Sequence, residues 1–144
     1  MPYRPIRTII EGQEIFTSTA GTTVVEAACL MEQRQIGAVM VVEDGRLVGI
    51  FTERDALFRV IAKGRDAQTT PLAEVMTGNP QTVHPDKPFG HALHLMYEGG
   101  FRHVPVVEDG LPIGMVSARE ALGPELEDFV YELLRREQIE QVLA

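Results

Sequence analysis

Apolar and polar positions along the chain predict helices and short strands in a fixed order. Residues 24–34 carry apolar side chains at near-helical spacing, and residues 38–42 form a short run rich in valine. The turn Glu43-Asp44-Gly45 follows, since Asp-Gly supplies the positive φ angles that a tight hairpin needs before a return strand over residues 47–51. A second helix is predicted to begin at Thr52. The pattern therefore predicts a helix, a β-hairpin and another helix.

The same order of elements occurs again later in the chain. At an offset of 65 residues, residues 24–57 align without a gap with residues 89–122, and 13 of the 34 positions are identical. The second copy repeats the turn as Glu108-Asp109-Gly110, and short extended segments at residues 14–17 and 81–83 precede the two copies. Two copies of one unit therefore build most of the protein.

A connector joins the two copies, and a helix follows them. The connector contains three prolines, which make it stiff, with one helical turn expected at residues 72–76. Beyond Gly123-Pro124, an amphipathic helix without a counterpart in the first copy is predicted. The chain therefore divides into a first repeat (residues 1–66), a connector with the second repeat (residues 67–122) and a C-terminal amphipathic helix (residues 123–144).

Composition and charge narrow the classes of function. Of the 144 residues, 44% are hydrophobic and 24% are charged, which is typical of a globular domain. The formal net charge of −8 repels phosphate backbones and anionic lipids, so we expect no nucleic acid and no membrane as partners. The single cysteine, Cys29, fits a reducing compartment, and a cytoplasmic location is expected.

Several short motifs in tandem carry a family resemblance. The strand-to-helix corners are Gly49-Ile50-Phe51-Thr52-Glu53-Arg54-Asp55 and Gly114-Met115-Val116-Ser117-Ala118-Arg119-Glu120. The segment Phe101-Arg102-His103-Val104-Pro105-Val106-Val107 leads into and forms the first strand of the second hairpin. With these motifs the chain resembles the CBS-domain family, whose tandem pairs are called Bateman modules. The resemblance implies a mixed α/β (α+β) fold, with two β-α-β-β-α repeats packed in pseudo-two-fold symmetry and the C-terminal helix added. It also implies two clefts, which in many members bind AMP, ADP, ATP or S-adenosylmethionine.

The first corner offers groups suited to a ribose. A carboxylate can accept hydrogen bonds from two neighbouring hydroxyls, and in the family Thr52 and Asp55 would hold the sugar. The alternative is a helix cap, with Thr52 as the N-cap and Asp55 as its acidic partner, which needs no ligand. In the second corner, Ser117 and Glu120 match a capping box better than the ribose pattern, so Glu120 is expected to be mainly structural.

Cations near the corners are candidates for a phosphate site. By the resemblance, Arg102 and His103 face ligand phosphates, and Arg54 and Arg119 lie in the first turns of their helices, where a nearby anion would offset the helix dipole. The alternative for each arginine is a solvated surface charge. The first copy has Gly37-Ala38 in place of Arg102 and His103, so phosphate contacts should be lopsided.

The remaining residues that could carry chemistry, two histidines and one cysteine, give no indication of a catalytic site. The helical pair His91 and His94 has no carboxylate or cysteine at a matching spacing and is read as an exposed pair, and Cys29 is read as a packing residue. No catalytic residue, metal site or required cofactor is predicted. The ligand-binding set is Thr52, Arg54, Asp55, Arg102, His103, Ser117 and Arg119.

Three classes of function are therefore compared. The leading hypothesis is a regulatory module that binds an adenosine nucleotide between its repeats and regulates a partner protein. The alternative is a ligand-free dimerisation or interaction module, and an enzyme has little support because no activated nucleophile, metal-ligand set or glycine-rich phosphate loop is present. A homodimer is expected in either leading case, because the C-terminal helix would otherwise expose Phe129, Leu133 and Leu134.

Overall fold

The computed structural model of the chain describes residues 4–121 and 123–143, so residues 1–3, 122 and 144 of the predicted ranges lie outside it. The first half contains α1 (Ile6–Ile10), β1 (Thr17–Ser18), α2 (Val24–Arg34), β2 (Ala38–Glu43), β3 (Arg46–Thr52) and α3 (Glu53–Asp55), which continues as a π-helical turn (Ala56–Ile61). The second half contains α4 (Leu72–Val75), β4 (Thr77–Gly78), α5 (Phe89–Gly99), β5 (His103–Glu108), β6 (Leu111–Ser117), a 3₁₀ turn (Ala118–Glu120) and α6 (Gly123–Leu143). The predicted mixed α+β fold and its C-terminal helix are confirmed.

Each repeat contains one antiparallel hairpin, β2–β3 in the first and β5–β6 in the second. Asp44 and Gly45 adopt φ angles of 50° and 77°, and Asp109 and Gly110 adopt 54° and 80°, as expected for a turn whose twist matches the strands. Both hairpins also shift register at matching places, after Val41 in one and after Val106 in the other. The sequence repeat is therefore a repeat of backbone geometry, including its irregularities.

The sheets of the two repeats differ in size. The first is four-stranded, in the order β1-β2-β3-β4, with β1 parallel to β2. In the second repeat Val83 makes only a single parallel bridge to Val106, beside the two-stranded sheet. The predicted extended segments at residues 14–17 and 81–83 therefore shorten to Thr17–Ser18 and one bridge.

Each repeat has its own apolar core. The first consists of Val24, Ala27, Met31, Val39, Val41, Phe51, Val60, Leu72 and Val75. The second consists of Ile6, Ile10, Val83, Phe89, Ala92, Leu93, Met96, Val104, Val106 and Val116. Residues 38–41 of β2 are all buried, which indicates that both faces of this strand are covered. Because β3 and β6 contact each other, the two repeats pack through their sheets.

Short helices are exchanged between the repeats. Helix α1 lies at the start of the chain but packs in the core of the second repeat, where the N–H of Ile6 donates to the carbonyl of Lys87 over 2.9 Å. Helix α4 follows the connector but packs in the core of the first repeat, and the N–H of Leu72 donates to the carbonyl of Thr22 over 2.8 Å. The predicted ranges of the two repeats therefore describe the order of the chain. They do not coincide with the two cores, because each core includes a helix from the other range.

Helix α6 lies along α5. The ring of Phe129 contacts His94 and Tyr97 at centroid distances of 5.0 and 5.8 Å, and Arg136 forms a 2.9 Å ion pair with Glu98. His91 is exposed, as predicted, but His94 is half-buried and its Nε2 lies 2.6 Å from Oε2 of Glu132. The prediction of an exposed pair is therefore wrong for His94. Within residues 4–121 and 123–143, no helix has the length and apolarity to cross a membrane.

Candidate functional site

A cavity of about 840 Å³, here called cleft 1, opens between the repeats at the end of β3. Thr52, Arg54 and Asp55 line it from the first repeat, and Arg102 and His103 line it from the second. Within each repeat, the N–H of the first helical residue donates to a carbonyl at the start of the hairpin, from Glu53 to Gly37 and from Ala118 to Arg102. The two repeats meet here because β3 contacts β6. Five residues of the predicted ligand-binding set therefore lie around one cavity.

The corner of Thr52 and Asp55 forms a closed set of hydrogen bonds. The Thr52 N–H donates to Oδ2 of Asp55 over 2.9 Å, and the Thr52 hydroxyl donates to the same oxygen over 3.1 Å. The Asp55 N–H donates in return to the Thr52 hydroxyl over 3.2 Å. This is a capping box, the ligand-free alternative for this corner, and it occupies only one of the two oxygens. The other oxygen, Oδ1, lies 3.5 Å from Nε of Arg59.

The cations around cleft 1 are held in different ways. Arg54 donates through Nη1 to the carbonyl of Gly100 over 2.9 Å, so it links the first repeat to the end of α5 in the second. His103 is half-buried, and burial lowers the pKa of its imidazole; Glu53 opposes this shift, whereas Arg102 and Arg119 add to it. The imidazole is therefore biased towards its neutral form in the unliganded protein, and an anion beside it would reverse that bias.

A second cavity of about 490 Å³, here called cleft 2, lies at the pseudo-equivalent place beside β6. Ser117, Arg119 and Glu120 line it together with His103, which lines both clefts. Oε1 of Glu120 accepts a hydrogen bond from the Ser117 N–H over 2.8 Å. Burial raises the pKa of the Glu120 carboxyl, and the hydrogen bond from Ser117 and the charge of Arg4 oppose this rise.

The two clefts differ most at residues 37 and 102, which are 65 positions apart. A Cβ placed on Gly37 would lie 3.3 Å from Oε1 of Glu53 and 3.4 Å from the imidazole of His103. Because the His103 ring lies against Gly37, a large side chain there would meet resistance from its neighbours. The first repeat therefore places no cation at the position that Arg102 holds in the second. Thr52, Arg54, Asp55 and Arg102 line cleft 1, Ser117 and Arg119 line cleft 2, and His103 lines both. Arg102, His103, Ser117 and Arg119 also line a further cavity of about 460 Å³.

One further cluster has the composition of a metal site. His84, Asp86 and Glu108 bring ligand atoms within 4.8 Å of one another, and they form the one such group among residues 4–121 and 123–143. Arg7 of α1 already donates to Asp86 over 3.0 Å and to Glu108 over 2.7 Å, and these hydrogen bonds lower the pKa of both carboxyl groups. The cluster is an ion-pair network that fastens α1 to the second repeat.

Several contacts were missed by the sequence reasoning. Gln13 forms two hydrogen bonds with the backbone of Met115, accepting over 2.8 Å and donating over 2.9 Å. No spacing rule signals them, since the two residues are 102 positions apart. Cys29, read as a packing residue, is exposed, and this reading was wrong. Arg59 was also missed, although its spacing of four residues from Asp55 was a signal for an ion pair on a helix.

A family model and proteins of known sequence match this chain. A family model described as "CBS domain" matches residues 10–62 and 72–123. The chain is 38% identical over 104 residues to the CBS domain-containing protein YhcV of Bacillus subtilis, covering 72% of the chain and 74% of YhcV. It is 36% identical over 122 residues to the CBS domain-containing protein CBSX3, mitochondrial, of Arabidopsis thaliana, covering 81% of the chain and spanning 59% of that relative's length.

Solved structures share the architecture. The CBS domain pair of protein MJ0100, solved in complex with 5′-methylthioadenosine and S-adenosyl-L-methionine, superposes with a TM-score of 0.72 at 25% identity, covering 94% of this chain and 99% of that one. The CBS domain protein PAE2072 of Pyrobaculum aerophilum, complexed with AMP, has a TM-score of 0.79 at 22% identity over 89% of this chain and 99% of that one, a likeness of fold. The chain belongs to the CBS-domain family and carries two CBS domains in tandem.

Proposed function

We propose that the protein is a regulatory module that binds an adenosine-containing nucleotide in cleft 1 and changes the behaviour of a partner protein when the cleft is occupied. One observation carries the proposal: cleft 1 combines a buried carboxylate, Asp55, with Arg54, Arg102 and His103 around one cavity. A nucleotide needs these two kinds of group, an acceptor for ribose hydroxyls and cations for phosphate.

The size of cleft 1 suits such a ligand. Its volume of about 840 Å³ lies within the range of roughly 300–1,000 Å³ that small-molecule sites usually have. Apolar side chains of Leu57 and Phe58 line the cavity beside the polar corner, and they offer a surface for a base. Both are more than half exposed, at 51% and 55%, so a ligand would cover apolar area that now faces water.

The overall charge of the protein makes the local cations more significant. Because the net charge is −8, the protein as a whole repels a phosphate group, and affinity must come from the charges in the cleft. Cleft 2 provides one of the predicted cations, Arg119, besides His103, which it shares with cleft 1, and its corner carries Glu120 where cleft 1 has Asp55. The proposal therefore assigns the nucleotide to cleft 1.

The protein is also proposed to form a homodimer through α6. Phe129, which was expected to be exposed in a monomer, is covered by α5, and Leu133 is partly buried. Leu126, Val130 and Leu134 recur every four residues on this helix and are 45%, 51% and 53% exposed. They form one stripe, because side chains four residues apart lie on the same face of a helix.

The alternative function, a ligand-free interaction module, is favoured by the same stripe. The proposal describes binding and regulation in a reducing compartment such as the cytoplasm, and it assigns no catalytic step.

A thermal-shift and calorimetry panel tests the proposal. The ligands are AMP, ADP, ATP, NAD and S-adenosylmethionine at millimolar concentration, and GMP serves as a control of equal charge to AMP. A ligand at 100 times its Kd adds about 2.7 kcal/mol to folding stability, which raises the Tm of a domain of this size by several degrees. No shift with any adenosine compound would refute the nucleotide module and leave the interaction module.

A further inference from the structure

Arg59 forms an ion pair with Oδ1 of Asp55, the carboxylate oxygen that the capping box leaves unoccupied. Its Nε lies 3.5 Å from Oδ1 of Asp55, and its Nη1 donates to the carbonyls of Met76 over 2.8 Å and of Val75 over 3.3 Å. Because the guanidinium is planar, the two hydrogen bonds of Nη1 limit the directions that its other N–H groups can take, and Nε forms an ion pair with Asp55. The end of α4 therefore holds Arg59, and Arg59 in turn holds the second oxygen of the Asp55 carboxylate.

The backbone that carries Arg59 is unusual. Helix α3 widens into the π-helical turn, in which the N–H of Ala62 donates to the carbonyl of Leu57 over 2.9 Å. A π-turn adds one residue per turn, which changes the direction of the side chains that it carries. Arg59 lies in the middle of this turn, and its neighbours Leu57 and Phe58 line cleft 1 together with it.

The second repeat has no equivalent of this arrangement. At the offset of 65 residues, the position of Arg59 is occupied by Pro124, and the corner ends in the 3₁₀ turn Ala118–Glu120 rather than a π-turn. Arg4, the cation recorded beside the Glu120 corner, donates to the backbone carbonyl of Glu120 over 2.7 Å. Among the described residues, only the first corner therefore has a carboxylate with a partner on each oxygen: Thr52 donates hydrogen bonds to Oδ2, and Arg59 forms an ion pair with Oδ1.

We infer that Arg59 is a positioning residue that aims Oδ1 of Asp55 at the ribose hydroxyls and so determines the preference of cleft 1 for ribonucleotides over deoxyribonucleotides. The inference rests on the proposed function. A carboxylate held only by Thr52 can rotate about its terminal bond, which has broad torsional preferences, so Oδ1 would spend less time in the accepting direction. A hydroxyl on the ligand then gains less from that oxygen, whereas the base and phosphate contacts are unaffected.

The test compares AMP with 2′-deoxy-AMP and 3′-deoxy-AMP by titration calorimetry on the full chain. The measured quantity is the Kd of the weaker-binding deoxy compound divided by the Kd of AMP. In the wild type this ratio is expected to be about tenfold or more, because the deoxy compound loses a hydrogen bond to a charged group. In Arg59→Met the ratio is expected to fall below about threefold. Arg65→Met is the matched control, because Arg65 pairs with Glu74 outside the cleft, and its ratio should equal that of the wild type.

The outcomes separate this inference from the proposed function. If no adenosine compound of the thermal-shift panel binds the wild type, the proposed function fails and the inference fails with it. If another adenosine compound binds but AMP does not, or if the wild type binds AMP and both deoxy compounds equally well, the inference alone is overturned. If the wild type discriminates and Arg59→Met keeps the same ratio, the inference alone is overturned, even where both affinities fall, since an equal loss indicates a structural role. Should Arg59→Met not fold, Arg59→Lys replaces it: the ammonium keeps the charge but lacks the fork, and an unchanged ratio again overturns the inference.

Discussion

Alanine substitutions at Asp55 and Glu120 form the sharpest comparison between the two clefts. Each carboxylate accepts a hydrogen bond from the N–H of its N-cap residue, Thr52 or Ser117, over 2.9 and 2.8 Å. Both substitutions therefore remove a helix cap, which costs about 1 kcal/mol of folding stability in each case. Because this cost is shared, any difference in ligand affinity between the two variants reports the ligand contact.

The expected difference is large. The substitution Asp55→Ala removes the charged acceptor of the ribose hydroxyls, and a hydrogen bond to a charged group contributes about 1.5–3 kcal/mol. At about 1.4 kcal/mol per tenfold, Asp55→Ala should weaken AMP by roughly 10- to 100-fold. Glu120→Ala should change the affinity by less than about threefold, since Glu120 lines cleft 2 and its Oε1 binds the Ser117 N–H.

Titration calorimetry with AMP on both variants measures these effects, and circular dichroism with thermal melting confirms that each variant is folded. Asp55→Ala also leaves Arg59 without its carboxylate, so its Tm should fall somewhat more than that of Glu120→Ala. Loss of AMP binding in Glu120→Ala with unchanged binding in Asp55→Ala would refute the assignment of the ligand to cleft 1.

Three further predictions concern phosphate, pH and assembly. Arg102→Ala should weaken AMP about tenfold and adenosine less than about threefold by calorimetry, and equal losses would show that Arg102 supports the fold. Burial lowers the pKa of His103 from its usual 6.5, so its contribution to stability is present above pH 6.5 and is lost as the pH falls towards the folded-state pKa. Below pH 6.5, the Tm of His103→Gln should therefore fall less steeply with falling pH than the Tm of the wild type. Equal slopes of Tm against pH in the two proteins would contradict this. Leu134→Glu should convert a dimer of the 16.0 kDa chain into a monomer by light scattering. Ile139→Glu should not, because Ile139 is also exposed but lies outside the stripe, and a monomeric wild type would exclude the dimer.

Local patterns predicted the repeated unit well because their causes are local. The Asp-Gly turns need positive φ angles at two adjacent residues, and both hairpins form around them. The corner of Thr52 and Asp55 is a spacing of three residues, and its capping box follows from that spacing alone. The family resemblance added what local rules lack, namely that the two repeats pack through their sheets.

Long-range pairing accounts for what the sequence could not predict. Helix α1 has only five residues, too few for a periodic pattern, and its place in the second core depends on contacts some 80 residues away, such as that of Arg7 with Asp86. Glu132 lies 38 positions from His94, so no spacing rule joins them. The π-helical turn that carries Arg59 was not predicted either, because its hydrogen bonds span five residues instead of four and no residue pattern marks that difference.

The exchange of α1 and α4 has a thermodynamic consequence for signalling. Each core includes residues of a helix from the other half of the chain, so we expect neither half to fold on its own. Melting of one half withdraws a buried helix from the other, and the two should unfold in a single cooperative transition. Any molecule that tightens one half therefore stiffens the whole chain, and occupancy can reach a remote surface through the loss of local unfolding, with no hinge required.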